Sequence, residues 1–161
     1  LQCDGRSWER IEIEHAGGEI DVIVAIAMST GRLKACWFSD VEFNLASSQA
    51  LATGLKYNRS VKELRLRRCR IDNATGEIIR EGLRVNTTLE SVSFEHCGLL
   101  DEELATLLSC LRQCSTINKI SVEGNICRDR GLHELDGLLR ELNVQSLSLH
   151  HQRLEDNERL R

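Results

Sequence analysis

The chain has 161 residues, 41% of them hydrophobic, a formal net charge of −4 and a pI near 5.8. That is apolar material for the core of a single domain, expected over 1–161, and the acidic balance argues against nucleic acid as a ligand. There is no Pro and no low-complexity linker, and the longest apolar run, Val22 to Met28, is too short to span a bilayer, so no membrane insertion is expected.

In chain order, one apolar pattern returns at a fixed step. The unit near 8–32 opens on Trp8, Ile11 and Ile13, with Gly17-Gly18 where a loop belongs. The next, near 33–60, carries Leu33, Cys36, Phe38, Phe43, Leu51 and Leu55. Each has a counterpart 28 residues on in the unit near 61–88: Val61, Leu64, Leu66, Ile71, Ile79 and Leu83. The step repeats to Leu89, Val92, Phe94, Leu99, Leu107 and Leu111 in 89–116, then to Ile117, Ile120, Val122, Cys127, Leu135 and Leu139 in 117–143. The first unit precedes its neighbour by 25 residues rather than 28. The last, 144–161, fits one residue early through Val144, Leu147, Leu149 and Leu154 and is cut at Arg161 where a helix should start. A period in the twenties marks a solenoid, whose units bury their apolar faces only by stacking.

Two periodicities alternate inside each unit. Leu64-Arg65-Leu66 and Val92-Ser93-Phe94 alternate apolar and polar, the pattern of a strand with one buried face. Leu104, Leu107, Leu108 and Leu111 follow at helical spacing, with Asp101 placed to cap their helix. Asn58, Asn86 and Asn143 follow successive helices, where a left-handed residue is expected to end them. Strand and helix repeated in one direction require a parallel sheet with helices along its other side.

These residues carry a resemblance. Val61-Lys62-Glu63-Leu64-Arg65-Leu66-Arg67-Arg68-Cys69-Arg70-Ile71, followed by Gly76, Ile79 and Leu83, resembles a leucine-rich repeat of the ribonuclease-inhibitor type. The units from Asn86 and from Ile117 fit as well, so the resemblance spans roughly 8–161. It implies an α/β, right-handed curved solenoid or horseshoe, with a parallel sheet on the concave face and helices on the convex face. The incomplete last unit, and a chain that opens on Leu1 rather than Met, lead us to expect a piece of a longer protein.

Seven cysteines invite a chemical reading that the repeat largely removes. Cys69 and Cys97 share a column with Val41, Asn125 and Gln152, where a buried side chain bonds loop backbone in place of a strand partner. Cys36 and Cys127 take apolar core positions, and Cys110 aligns with Gly54 and Gly82 in a column of small residues that lets helices approach. Cys110 and Cys114 stand four apart without a histidine at matching spacing, so no metal site is expected. Interior thiols favour a reducing, cytoplasmic setting. Against it stand three glycosylation acceptor sequences, Asn58-Arg59-Ser60, Asn73-Ala74-Thr75 and Asn86-Thr87-Thr88, which leave an extracellular recognition ectodomain open.

Binding is expected on the concave sheet face, where outward side chains of successive strands form columns. One column reads Glu12, Trp37, Arg65, Ser93, Ser121, Ser148; the next Glu14, Ser39, Arg67, Glu95, Glu123, His150; the third His15, Asp40, Arg68, His96, Gly124, His151. Trp37 with Arg65, Arg67 and Arg68, bordered by Asp40 and Glu95, is the candidate partner-binding site, since Trp and Arg dominate interface hot spots. The histidines lie several strands apart, except adjacent His150 and His151, and are read as solvated. There is no phosphate-binding loop, nucleophile motif or ligand cluster, so neither catalysis nor a small-molecule cofactor is expected. The reading is a non-catalytic protein-interaction scaffold. The Ran GTPase-activating proteins share the repeat type, which keeps a GTPase-activating regulator as an alternative by fold analogy alone.

Overall fold

The computed structural model describes residues 9–15 and 20–149. In chain order it runs β1 (Arg10–Glu14), α1 (Ile20–Ser29), β2 (Ala35–Ser39), α2 (Leu45–Tyr57), β3 (Glu63–Arg67), α3 (Asn73–Val85), β4 (Ser91–Glu95), α4 (Asp101–Leu111), β5 (Lys119–Ser121), α5 (Asp129–Glu141) and β6 (Ser146–Ser148). The strands form one parallel sheet in sequence order. Parallel neighbours need a crossover, and here each crossover is a helix packed on the next one, α1 through α5. Strand and helix residues share one core, so the molecule is a sheet layer and a helix layer. Trp8, Gly17, Gly18, His150, His151, Gln152, Leu154 and Arg161 lie outside the described residues.

The register follows the repeat and its two irregular ends. Cys36 pairs with Leu64, Leu64 with Val92, and Val92 with Ile120, each a full repeat apart. The first step is shorter, Ile11 to Cys36, and the last is one residue short, Ile120 to Leu147. Within α5, Leu135 is buried as expected and Leu138 is fully buried in the column of Gly54, Gly82 and Cys110, whereas Leu139, expected inward like Leu83 and Leu111, is 45% exposed.

The seam after each helix is closed by side chains rather than by left-handed backbone. Asn58 and Asn86, expected in the left-handed region, are extended, with φ of −69° and −75°. No positive φ falls at Asn143 either. The Asn58 amide donates to Met28 O and Thr30 O, and its carbonyl accepts the N–H groups of Ser60 and Val61. Asn86 repeats this, donating to Leu55 O and accepting from Thr88 and Leu89. One repeat later Cys114 takes the place and donates to Leu89 O. A buried amide thus satisfies backbone groups of two units at once. It also explains two of the three acceptor sequences structurally, because the nitrogens of Asn58 and Asn86 are engaged inside the fold, whereas Asn73 is exposed.

A second seam follows each strand. Cys69 donates to Phe38 O, Cys97 to Leu66 O, and Asn125 to Phe94 O. That column therefore behaves as its residue types predict. The small column does too: a Cβ on Gly82 would stand 2.7 Å from Ala52 Cα, so α2 and α3 touch backbone to backbone there. Asp101 does something different from the expected cap of its own helix. Its carboxylate reaches to the next unit and accepts the N–H groups of Arg128, Arg130 and Gly131 at the start of α5. Burial alone would raise its pKa; those three N–H bonds and the charge of Arg128 hold it below the usual value.

Candidate functional site

Inward and outward positions alternate along β2, β3 and β4, so Trp37, Arg65 and Ser93 share one outward column in direct register. The column before it holds Arg10, Ala35, Glu63, Ser91, Lys119 and Ser146, and the column after it Glu14, Ser39, Arg67 and Glu95. Trp37, half-buried, lies between strands that each send it a guanidinium. Arg10 stands 4.5 Å and Arg65 5.5 Å from its ring centroid. Its indole N–H donates to Glu63 at 3.0 Å. Such cation–ring contacts are worth about 0.5–1 kcal/mol each where exposed. The ring is therefore held in one orientation before any partner arrives.

Arg65 also donates to Glu95 at 2.7 Å, and the other oxygen of Glu95 accepts from Ser93 at 2.6 Å. Burial pushes the Glu95 carboxyl up, but the hydrogen bonds from Ser93 and Arg65 outweigh it and leave it below the usual range. The carboxylate is thus ionised at neutral pH and fixed.

The third column forms the rim of the sheet. His15, Asp40, Arg68 and His96 have φ of 48° to 53°, and Gly124 has φ 69°. Left-handed backbone costs a side-chain-bearing residue about 1–2 kcal/mol. Here it is offset because each N–H still donates across the sheet: His15 to Ser39 O, Asp40 to Arg67 O, Arg68 to Glu95 O, His96 to Glu123 O. The turn swings the chain toward the helix layer and lines these side chains along the edge. Arg68 grips both oxygens of Asp40 through its Nε and Nη2. The hydrogen bond from Arg68 holds the Asp40 carboxyl below its ordinary value, and Asp40 in turn raises Arg68. His15 Nδ1 lies 3.9 Å from Asp40.

The six candidate residues thus form two clusters, Trp37–Arg65–Glu95 and Asp40–Arg68, on adjoining columns. Arg67 stands between them, its exposed side chain making no hydrogen bond or ion pair among the described residues; that side chain acts on Asp40 and Glu95 only through longer-range charge. Sequence reasoning missed Arg10, Glu63 and Ser93 as partners of the site. Arg10 and Glu63 occupy the outward column two residues earlier, and reading that column would have found them.

Between the β3–α3 and β4–α4 loops the rim opens into a groove of about 540 Å³ lined by Arg68, Arg70, Asp72, His96, Leu100 and Glu103, among others. Asp72 caps α3, accepting the Thr75 N–H at 2.9 Å, which lowers its pKa. Glu103 accepts the Leu100 N–H at the start of α4. The cysteines offer little chemistry in comparison. Burial raises the thiols of Cys36 to about 12 and Cys127 to about 11, and raises Cys69 and Cys97 as well. Among the described residues no three His, Cys, Asp or Glu side chains gather as metal ligands, and no helix is long and apolar enough to cross a membrane.

Comparison with known proteins places this geometry. A family model described as the PRAME C-terminal domain matches residues 29–158. The human PRAME family member 8 is 33% identical over 93 residues, and the human PRAME family member 12 is 32% identical over 93. Each match covers 56% of this chain and 19% of the relative, so the matched stretch spans about a fifth of those proteins. Among solved structures, the Caenorhabditis elegans tropomodulin C-terminal domain superposes with a TM-score of 0.69 at 12% identity, covering 82% of this chain and 83% of that one. Leiomodin-1 actin-binding site 2 gives a TM-score of 0.64 at 18% identity, covering 86% of this chain and 83% of its own. At such identities the likeness is one of fold, a leucine-rich-repeat-like α/β arrangement.

Proposed function

The chain belongs to the PRAME C-terminal domain family, and on that premise we propose that it is a non-catalytic protein-interaction module that binds its partner on the outward face of the sheet. We take the repeats to be of the ribonuclease-inhibitor type, a curved solenoid with this face concave, because strand and helix recur at a 28-residue step. The observation that carries the reading is the preorganised Trp37, locked by Arg10, Arg65 and Glu63 beside the Arg65–Glu95 and Arg68–Asp40 pairs. Side chains already ordered lose little entropy on binding, so a fixed aromatic and charged surface favours a protein partner. The leiomodin-1 neighbour, an actin-binding site by its description, supports protein binding as a use of this fold. The comparisons lend no support to a GTPase-activating role or to an ectodomain.

The test is affinity capture with the wild type and with a Trp37→Ala, Arg65→Ala double variant, each protein lost with the variant being purified and rebound directly. A direct partner that binds the wild type and fails on the folded variant supports the reading. Equal binding by both would move the interaction off this face.

A further inference from the structure

The strands β2 to β6 each begin on the same hydrogen-bonded fork. Glu9 O accepts the N–H groups of Lys34 and Ala35, and Lys34 O those of Lys62 and Glu63. Lys62, Glu90 and Asn118 repeat the fork, one unit at a time. The residue just before each acceptor therefore holds one structural position. In the later units it is Leu33, Val61, Leu89 and Ile117, each 2% exposed or less. In the first unit the sequence puts Trp8 there, one residue outside the described segment. Continuing the β1–β2 register by two residues sets it opposite Leu33. At that same edge β1 and α1 leave an apolar pocket of about 500 Å³, lined by Ile11, Ile23, Ile26, Ala27 and Leu33 among others.

We propose that the occupant of this pocket is the chain's own Trp8, whose indole closes the β1 end of the stack as Leu33, Val61, Leu89 and Ile117 close the joints between units. The fork argues for it, because Glu9 is already fixed through its carbonyl and its neighbour is tethered at the pocket with little further ordering to lose. The residue type argues for it too. The outermost unit of a stack has no neighbour to bury its apolar face, and Ile26 is 60% exposed there. Tryptophan covers more apolar area than the aliphatic residues that hold the position elsewhere. The anchor also sits two residues before Arg10, which reaches the Trp37 ring.

The experiment is tryptophan fluorescence of a Trp37→Phe variant, in which Trp8 is the sole tryptophan. Its emission should be blue-shifted and shielded from iodide, and should move to the red when the protein is unfolded. Ile26→Glu, added to that variant, puts a carboxylate on the pocket wall at an exposed helix position, so the fold is kept, as circular dichroism checks. It should shift the Trp8 emission to the red and raise its quenching by iodide. Leu132→Glu, at an exposed position of α5, should change neither. Trp8→Ala should lower the denaturant midpoint of the otherwise unaltered chain. A solvated indole in the folded Trp37→Phe protein, or the same emission with and without Ile26→Glu, would overturn the proposal. So would a blue shift that grows with protein concentration, which would give the pocket to a second copy of the chain.

Discussion

The two faces of the same three strands differ in how they vary. Inward, β2, β3 and β4 present Cys36, Leu64 and Val92, then Phe38, Leu66 and Phe94, all apolar and all buried. Outward, between those positions, they present Trp37, Arg65 and Ser93, and then Ser39, Arg67 and Glu95. Every inward position must fill the same gap between sheet and helix, so repetition there is a packing demand. The outward positions meet no second layer, and nothing in the fold requires them to agree. In a repeat protein the periodic residues therefore report the fold, and departures from the period on the exposed face report what the face can hold.

Four experiments sharpen or break that contrast. Leu66→Ala on the inward face should cost about 2–5 kcal/mol in denaturant unfolding, because it opens a cavity where adjacent units meet. A loss near zero would mean that the core is not shared between units. Asn86→Ala comes next at about 1–3 kcal/mol, since it leaves buried Leu55 O and the Thr88 and Leu89 N–H groups without partners.

Asp101→Asn should have a smaller effect, about 0.5–2 kcal/mol, by weakening the cap on α5. Its signature is the pH dependence. A carboxyl whose folded pKa is depressed stabilises fully above its unfolded value and loses that contribution as pH falls through the folded one. Unfolding free energy measured down a pH series should therefore fall less steeply on the acid side in the variant than in the wild type. Smallest of all, Arg68→Ala should leave the unfolding transition close to that of the wild type, because it removes a pair lying at the solvent-exposed rim. A loss as large as that of Leu66→Ala would show that the outward face holds the fold as the inward one does.

The seams between units and the rim of the sheet were less legible in the sequence than the core. Asn58 and Asn86 stood at the right places, but a residue type that both tolerates left-handed backbone and forms two-sided amide bonds does not declare which it is doing; their extended φ and buried amides decide it. Besides Gly98 and Gly124, the left-handed positions went to His15, Asp40, Arg68 and His96, where an N–H bond to the next strand holds each one. Asp101 looked like the cap of the helix it begins, and only stacking revealed that it reaches α5. Leu139 keeps the apolar period yet is exposed, while Leu138 beside it stays buried in its column.

By itself the sequence determined the order of strands and helices, the parallel pairing, and even the irregular first and last steps of the register. Those follow from apolar spacing, which is local to each unit and repeated often enough to be read without a structure. The tertiary structure alone decided which charges pair, that Arg10 and Glu63 complete the setting of Trp37, and that the Arg67 side chain makes no ion pair among the described residues. Periodicity places a residue on a face and in a column, but the reach of a long side chain across columns and strands depends on geometry that only the assembled sheet supplies.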